Sequence, residues 1–266
     1  MRLFTPVSLV MIFSILLLPG CLTGKERSFT ALEQVHYATK PELEAKLTEM
    51  NLKLGAPVYI RAFKSEMQLE TWVLSEQSGE YELFKTYPIC RASGTLGPKL
   101  KEGDKQAPEG FYTVTEKRLN PNSKYYLSFN LGYPNAYDRA HKRTGSHLMV
   151  HGSCVSAGCL AVNNQNIGEI YLMVEESFKN GEETVPVHIF PFRMTPEKMA
   201  LREYSTWHDF WDNLQEGYDM FETFHIPPRV DHKNKRYVFD MQKNKNFKLS
   251  RSEADLIAQL KSHTGP

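Results

Sequence analysis

A run of short strands between residues 58 and 192, with helices before, among and after them, is what these 266 residues predict. Three observations carry the expectation. Short runs rich in β-branched and aromatic residues recur between residues 58 and 192, separated by Gly-, Pro- and Ser-containing turns. Apolar side chains at helical spacing are concentrated in residues 41–50, in the stretch after Asn163, and in residues 196–224. Hydrophobic residues make up 41% of the chain and charged ones 24%, ordinary globular usage, and the length suffices to bury a core without disulfides.

Taken in order, residues 1–21 read as a removable leader. Arg2 precedes the apolar run Val7 to Leu18, which is too short to span a bilayer of about 30 Å as a helix but suits a secretory signal. Its exit, Leu18-Pro19-Gly20-Cys21, resembles a bacterial lipoprotein cleavage site. A lipidated Cys21 would tether the protein to a membrane, and simple cleavage nearby would release it. Both readings place the protein outside the cytoplasm, in the periplasm or cell envelope.

Residues 22–55 form an N-terminal segment whose helix is expected over 41–50, with Pro41 in its first turn and Leu43, Leu47 and Met50 on one side. Strands are expected over 58–63, 71–74, 81–87, 111–115, 125–129, 146–151 and 185–192. The segment Glu76 to Gly79 reads as a hairpin turn, and residues 94–110 as a long turn-rich loop of the kind that often carries function. Asn163 or Asn164 caps a helix running through Phe178 and stopped at Asn180-Gly181. A change of composition near residue 194 separates a central domain, 56–194, from a helical extension, 195–266. Helices are expected there over 196–204 and 206–224, with Tyr237 to Phe239 as a short strand. The stripe Trp207, Phe210, Trp211, Leu214, Tyr218, Phe221 and Phe224 is read as packing on the sheet, with a groove for glycan strands as the alternative.

Charge narrows the partners. Lys and Arg total 32 against 31 Asp and Glu, a net charge of +1, which gives no reason to expect nucleic acid. Beyond Cys21 three cysteines remain, Cys90, Cys154 and Cys159. An odd number in an oxidising compartment leaves a thiol free or paired between chains. Three free thiols and a Cys90–Cys154 bridge both stay open, whereas a Cys154–Cys159 bridge would silence Cys159.

The chemistry concentrates between His151 and Cys159. A strand is expected to end at His151, and a link of residues 152–158 containing Gly152 and Gly158 leads to Cys159. A base and a nucleophile must approach within about 3 Å, yet eight extended steps would part them by roughly 26 Å. The link must fold back, and its glycines allow this. A helix expected just after Cys159 would lower the thiol pKa, as would an adjacent imidazolium. Backbone N–H groups of Gly158 and Cys159 are candidates for an oxyanion site. Zinc competes for the same residues, since His147, His151, Cys154 and Cys159 are all ligand types. On a strand, however, His147 and His151 would stand about 13 Å apart. No metal and no cofactor is expected.

His-Gly followed by Ser156-Ala157-Gly158-Cys159 resembles the YkuD-type L,D-transpeptidase catalytic domain. So do Tyr87 to Gly94 and the Gly103-Asp-Lys-Gln-Ala-Pro-Glu-Gly-Phe-Tyr112 segment. Residues 129–159 resemble its YafK-like branch, and the resemblance spans about residues 56–193. It implies a mainly β fold, a twisted β-sandwich or barrel-like sheet with few helices and here a helical C-terminal appendage, with Cys159 as nucleophile, His151 as base and Ser156 as a loop or substrate contact. It also implies peptidoglycan stem peptides as substrate. Two departures bear on specificity: Ala157 stands where the motif has His, and Ala161 where it has Arg. Tyr137, Arg139 and Arg143 are candidates to supply carboxylate recognition in its place. The branch includes an amidase that detaches a peptidoglycan-bound lipoprotein from diaminopimelate, the activity expected first. A 3-3 cross-linking or protein-anchoring L,D-transpeptidase and a non-catalytic peptidoglycan-binding regulator are the alternatives.

Overall fold

The computed structural model describes residues 28–241. The expected leader, Cys21 and residues 242–266 of the expected extension lie outside the described residues.

The chain opens with helix α1 (Ala31–Gln34), a π-helical turn (Val35–Thr39) and α2 (Lys40–Glu49). The helix therefore starts ten residues before Pro41, at a capping box in which Thr30 and Glu33 each bond the other's backbone N–H. Pro41 lacks an N–H and would crowd the preceding turn of an α-helix. The wider π turn lies just where that conflict arises.

Strands β1 (Val58–Phe63), β2 (Gln68–Leu74), β3 (Tyr81–Pro88), β4 (Arg91–Ala92), β5 (Gly110–Val114), β6 (Leu119–Asn120) and β7 (Ser128–Asn130) follow. Next come α3 (Ala136–Ala140), β8 (Met149–His151), β9 (Leu160–Ala161), α4 (Asn164–Lys179) and β10 (Val185–Phe190). Helices α5 (Pro196–Ala200) and α6 (His208–Phe224) and the hairpin β11 (Arg229–Lys233)–β12 (Arg236–Asp240) complete the described chain. The protein is mainly β: two five-stranded sheets, in orders β3-β2-β1-β10-β5 and β4-β9-β8-β7-β6, plus the hairpin.

The first sheet is buried on both faces, which is why β1 is buried at all six positions. Val58, Ile60 and Ala62 join Val185, Val187 and Ile189 in a core shared with α2, α4 and the second sheet. Tyr59 and Phe63 turn the other way, with Phe190, into an aromatic core beneath α6 and the hairpin. Phe210, Trp211, Leu214, Tyr218, Phe221 and Phe224 are all buried there, so the stripe is packing and the glycan-groove alternative is set aside.

Several sequence-based boundaries shift. The strand expected over 125–129 is Ser128–Asn130, and the helix expected over 196–204 stops at Ala200. The strand expected over 146–151 begins only at Met149, because His147 adopts a left-handed φ of 54°. Strand β11 has no counterpart among the expected elements.

Cys90 and Cys154 form a disulfide, leaving Cys159 as the free cysteine among the described residues. The bridge ties the link after β8 to the segment entering β4. It closes a loop of 64 residues, for which chain entropy gives an upper value of about 4 kcal/mol. A Cys90→Ser/Cys154→Ser double variant is expected to lose stability toward that amount in urea unfolding. An unchanged midpoint would show that the bridge contributes nothing to the fold.

Candidate active site

Strand pairing brings residues 151 and 159 together. Strands β8 and β9 run parallel, with Val150 beside Leu160 and His151 beside Ala161. Val150 and Leu160 face the core and are fully buried. By alternation, positions 149, 151, 159 and 161 share the opposite face. Cys159 precedes β9, so it is the diagonal neighbour of His151, with Cα atoms on the order of 8 Å apart from strand spacing and rise. The link folds back as its length demanded. Ser153 takes φ of 62°, and its N–H donates to Asn164 Oδ1 (2.8 Å).

Two glycines make the fold-back feasible. Gly158 has φ of +119°, and a Cβ there would lie 3.1 Å from Leu148 and 3.3 Å from the Gln106 carbonyl oxygen. At Gly152 a Cβ would fall 2.6 Å from the Tyr125 carbonyl oxygen.

His151 is 1% exposed, and its ring stacks on Tyr125 with centroids 4.7 Å apart. Its Nδ1 lies 2.5 Å from the Gly152 carbonyl oxygen. A carbonyl only accepts, so Nδ1 carries the proton and Nε2 keeps a lone pair. This is the tautomer a general base needs. The group that orients His151, unnamed by the sequence, is thus the backbone of the next residue. Burial pushes the imidazole pKa below its usual value, against the Gly152 carbonyl, which raises it.

Cys159 differs from expectation. Helix α4 begins at Asn164 behind an Asn163 cap, and β9 stands between it and the thiol, so no helix N-terminus sits at Cys159. Sγ rests 3.6 Å from the His147 carbonyl oxygen rather than on the imidazole. Burial raises the thiol pKa; the Met149 N–H and the charge of Lys99 oppose the rise. Both shifts favour the neutral forms, thiol and imidazole, in the resting site. Rotation of the Cys159 side chain about its Cα–Cβ bond, between staggered wells, would swing the sulfur off the His147 carbonyl.

The remaining candidates divide. Ser156 Oγ donates to the Cys159 carbonyl (2.7 Å) and accepts from the Gly158 N–H (3.3 Å), so it braces the loop. The same bond occupies the Gly158 N–H, leaving the Cys159 N–H as the better oxyanion candidate. Arg143 is 7% exposed, bonds Asp138 Oδ1 at 2.9 Å and lies over the Tyr137 and Phe210 rings. Tyr137 is buried and stacked on Tyr237 at 3.9 Å. Carboxylate recognition by these two is corrected to a structural role, because their polar and aromatic surfaces are already engaged. Arg139 donates to the Pro134 carbonyl and lines a surface groove with Arg118, Arg229 and Tyr237, a groove that includes neither Cys159 nor His151. Cys154, bonded to Cys90, drops out of the zinc-type set.

Sequence reasoning marked residues 94–110 as a loop of the functional kind but not the bonds that brace it as a wall beside Gly158. Asp104 accepts from the Leu100, Lys101 and Gln106 N–H groups and pairs with Lys99, which holds its pKa near 2. The Gln106 side chain bonds Thr95 on both its N–H and its carbonyl, and the Gly97 carbonyl as well. These residues stand in and beside the Gly103–Gly110 motif, but nothing in their spacing tells a brace from a substrate contact.

A model of the L,D-transpeptidase catalytic domain (YkuD) matches residues 57–189. Over 185 residues the chain is 48% identical to the Escherichia coli (strain K12) protein described as "Putative L,D-transpeptidase YafK", covering 70% of this chain and 74% of that one. The Escherichia coli O157:H7 protein of the same description matches to the same extent. Among solved structures, that of the helical cell shape determining protein Pgp2 from Campylobacter jejuni aligns over 84% of this chain and 76% of that one, with a TM-score of 0.41 and 20% identity.

Proposed function

The chain belongs to the L,D-transpeptidase catalytic domain family, and from that premise we propose that it is a cysteine-dependent peptidoglycan amidase. It cleaves the amide that joins a stem-peptide diaminopimelate to a lysine of a bound lipoprotein. The observation that supports the reading is the strand register, which sets His151 beside Ala161, two residues past the free Cys159, with the imidazole held by Gly152 and Nε2 unprotonated.

The cycle follows from that geometry. The Cys159 sulfur attacks the diaminopimelate carbonyl carbon while its proton passes to His151 Nε2. The tetrahedral oxyanion forms beside the Cys159 N–H. As it collapses, His151 returns the proton to the departing lysine amine and a thioester remains. Water, deprotonated by His151, attacks the thioester and regenerates the thiol with a carboxylate product.

Two features favour water over a second stem peptide as acceptor. Ala161, level with His151, is fully buried and places no cation on that face, where the family motif has Arg. The motif His is likewise absent at Ala157. The purified protein is to be incubated with sacculi that carry covalently bound lipoprotein. Release of protein bearing a free lysine amine, with muropeptide cross-linking unchanged, is the expected result. New 3-3 cross-links with lipoprotein still attached would instead establish a transpeptidase.

A further inference from the structure

We infer that helix α6 positions the active-site wall through Trp211 and Glu109, both acting as positioning residues for the reaction; the inference rests on the function proposed above for the chemistry it serves. Helix α6 lies outside residues 57–189, the part that matches the family model. Beside the aromatic core and the Arg61–Glu222 ion pair, it reaches that part at the buried carboxylate of Glu109. Trp211 Nε1–H donates to Glu109 Oε2 at 2.9 Å. The other oxygen, Oε1, accepts from Lys64 Nζ at 2.9 Å and from the Gly97 N–H at 2.7 Å. Lys64 also donates to the Gly97 and Ala107 carbonyls, each at 3.0 Å. Glu109 is fully buried and Lys64 nearly so. A buried pair of this kind holds its geometry only while every oxygen and N–H has a partner.

The clamp continues to the nucleophile. Gly97 is held from the far side by Gln106 Nε2–H, which donates to its carbonyl at 2.7 Å. The Gln106 carbonyl oxygen in turn lies 3.3 Å from where a Cβ on Gly158 would stand, one residue before Cys159. A parallel route runs from Ala107, whose N–H donates to the Ser93 carbonyl, through the 3.5 Å contact of Ser93 Oγ with Ser156 Oγ, to the Cys159 carbonyl. Trp207, just before α6, closes the clamp from outside: a Cβ on Gly97 would fall 2.4 Å from its indole nitrogen. An indole N–H in a core needs some acceptor. Here the acceptor is the carboxylate that sets where the wall stands relative to Cys159.

Trp211→Phe keeps an aromatic ring against Phe192 but deletes the N–H donor. With the protein folded by circular dichroism at the assay temperature, kcat for lipoprotein release is expected to fall roughly ten- to a hundredfold with KM within about twofold, as a small displacement at a reacting centre does. The rate of Cys159 alkylation by iodoacetamide is expected to change several-fold alongside it. Gln106→Ala should give the same pattern, and the double variant should be no worse than the poorer single one. Trp207→Leu provides the same readouts if Trp211→Phe does not accumulate in folded form. A variant with a lowered thermal midpoint but wild-type kcat and alkylation rate overturns the inference, as do single effects that multiply. Wild-type protein without any peptidoglycan cleavage would defeat the proposed function alone, because the alkylation readout needs no substrate.

Discussion

Cys159→Ala is expected to abolish lipoprotein release, to the limit set by background hydrolysis, while leaving the fold intact. Alanine removes one sulfur from a half-buried position, so the cost in stability is small against the thousandfold or larger losses that follow removal of a covalent nucleophile. Among the described residues no other thiol can substitute, since Cys90 and Cys154 are bonded to each other. Thermal midpoints of the two proteins should agree within a few degrees. The variant also separates an enzyme from a regulator. In cells lacking the wild-type protein, a peptidoglycan-binding regulator would still function when it carries Cys159→Ala, whereas an enzyme would not. Release of lipoprotein by the purified variant at more than a few per cent of the wild-type rate would remove Cys159 from the chemistry.

The parts of the fold visible in the sequence are those where burial alone sets the pattern. Val58–Phe63 and Val185–Phe190 lie in the middle of a sheet covered on both faces, so their runs are apolar almost throughout. Helix α6 shows itself because a single broad face meets the aromatic core. What stays hidden depends on partners distant in the chain. Arg229-Val-Asp-His-Lys233 has no strand-like pattern and becomes β11 only by pairing with β12. Helix α1 escapes notice because Pro41 looks like a start signal, and only the π turn before it lets the helix run through. Ser146 to Leu148 alternates like a strand, yet His147 takes a left-handed conformation that no residue pattern announces.

The site divides in the same way. That the link between His151 and Cys159 folds back is legible from its two glycines and its length. The two-residue strand Leu160–Ala161 is not, being too short to carry any periodicity. That strand moves the helix away from the thiol, and burial turns the Cys159 pKa upward, against the expected direction. Tyr137 and Arg143 stand out only by their proximity in sequence. Asp138, buried between them, binds the guanidinium, and Tyr237, a hundred residues onward, covers the phenol.

The charge state of the resting pair yields the second large effect. His151→Gln is expected to lower kcat by roughly a hundred- to ten-thousandfold, the usual worth of a positioned base. The pH dependence then follows by sign. Burial lowers the His151 pKa, so the neutral imidazole that must accept the thiol proton is already present below about pH 6.5, and the acid limb of kcat/KM should lie under that value. Burial raises the Cys159 pKa, so the thiol stays protonated through neutrality. Once it ionises, the proton that His151 would pass to the leaving amine is gone, and the alkaline limb should lie above about pH 8.5. Alkylation by iodoacetamide, which reads thiolate alone, should have its midpoint above that same pH and should hardly move in His151→Gln. A thiolate–imidazolium pair would give the opposite: fast alkylation at about pH 6 in the wild type, and a midpoint displaced upward by several units once the imidazole is removed. Either of those results would mean that the sulfur and the imidazole exchange their proton before substrate arrives, and that a cycle in which the proton passes during the attack is wrong.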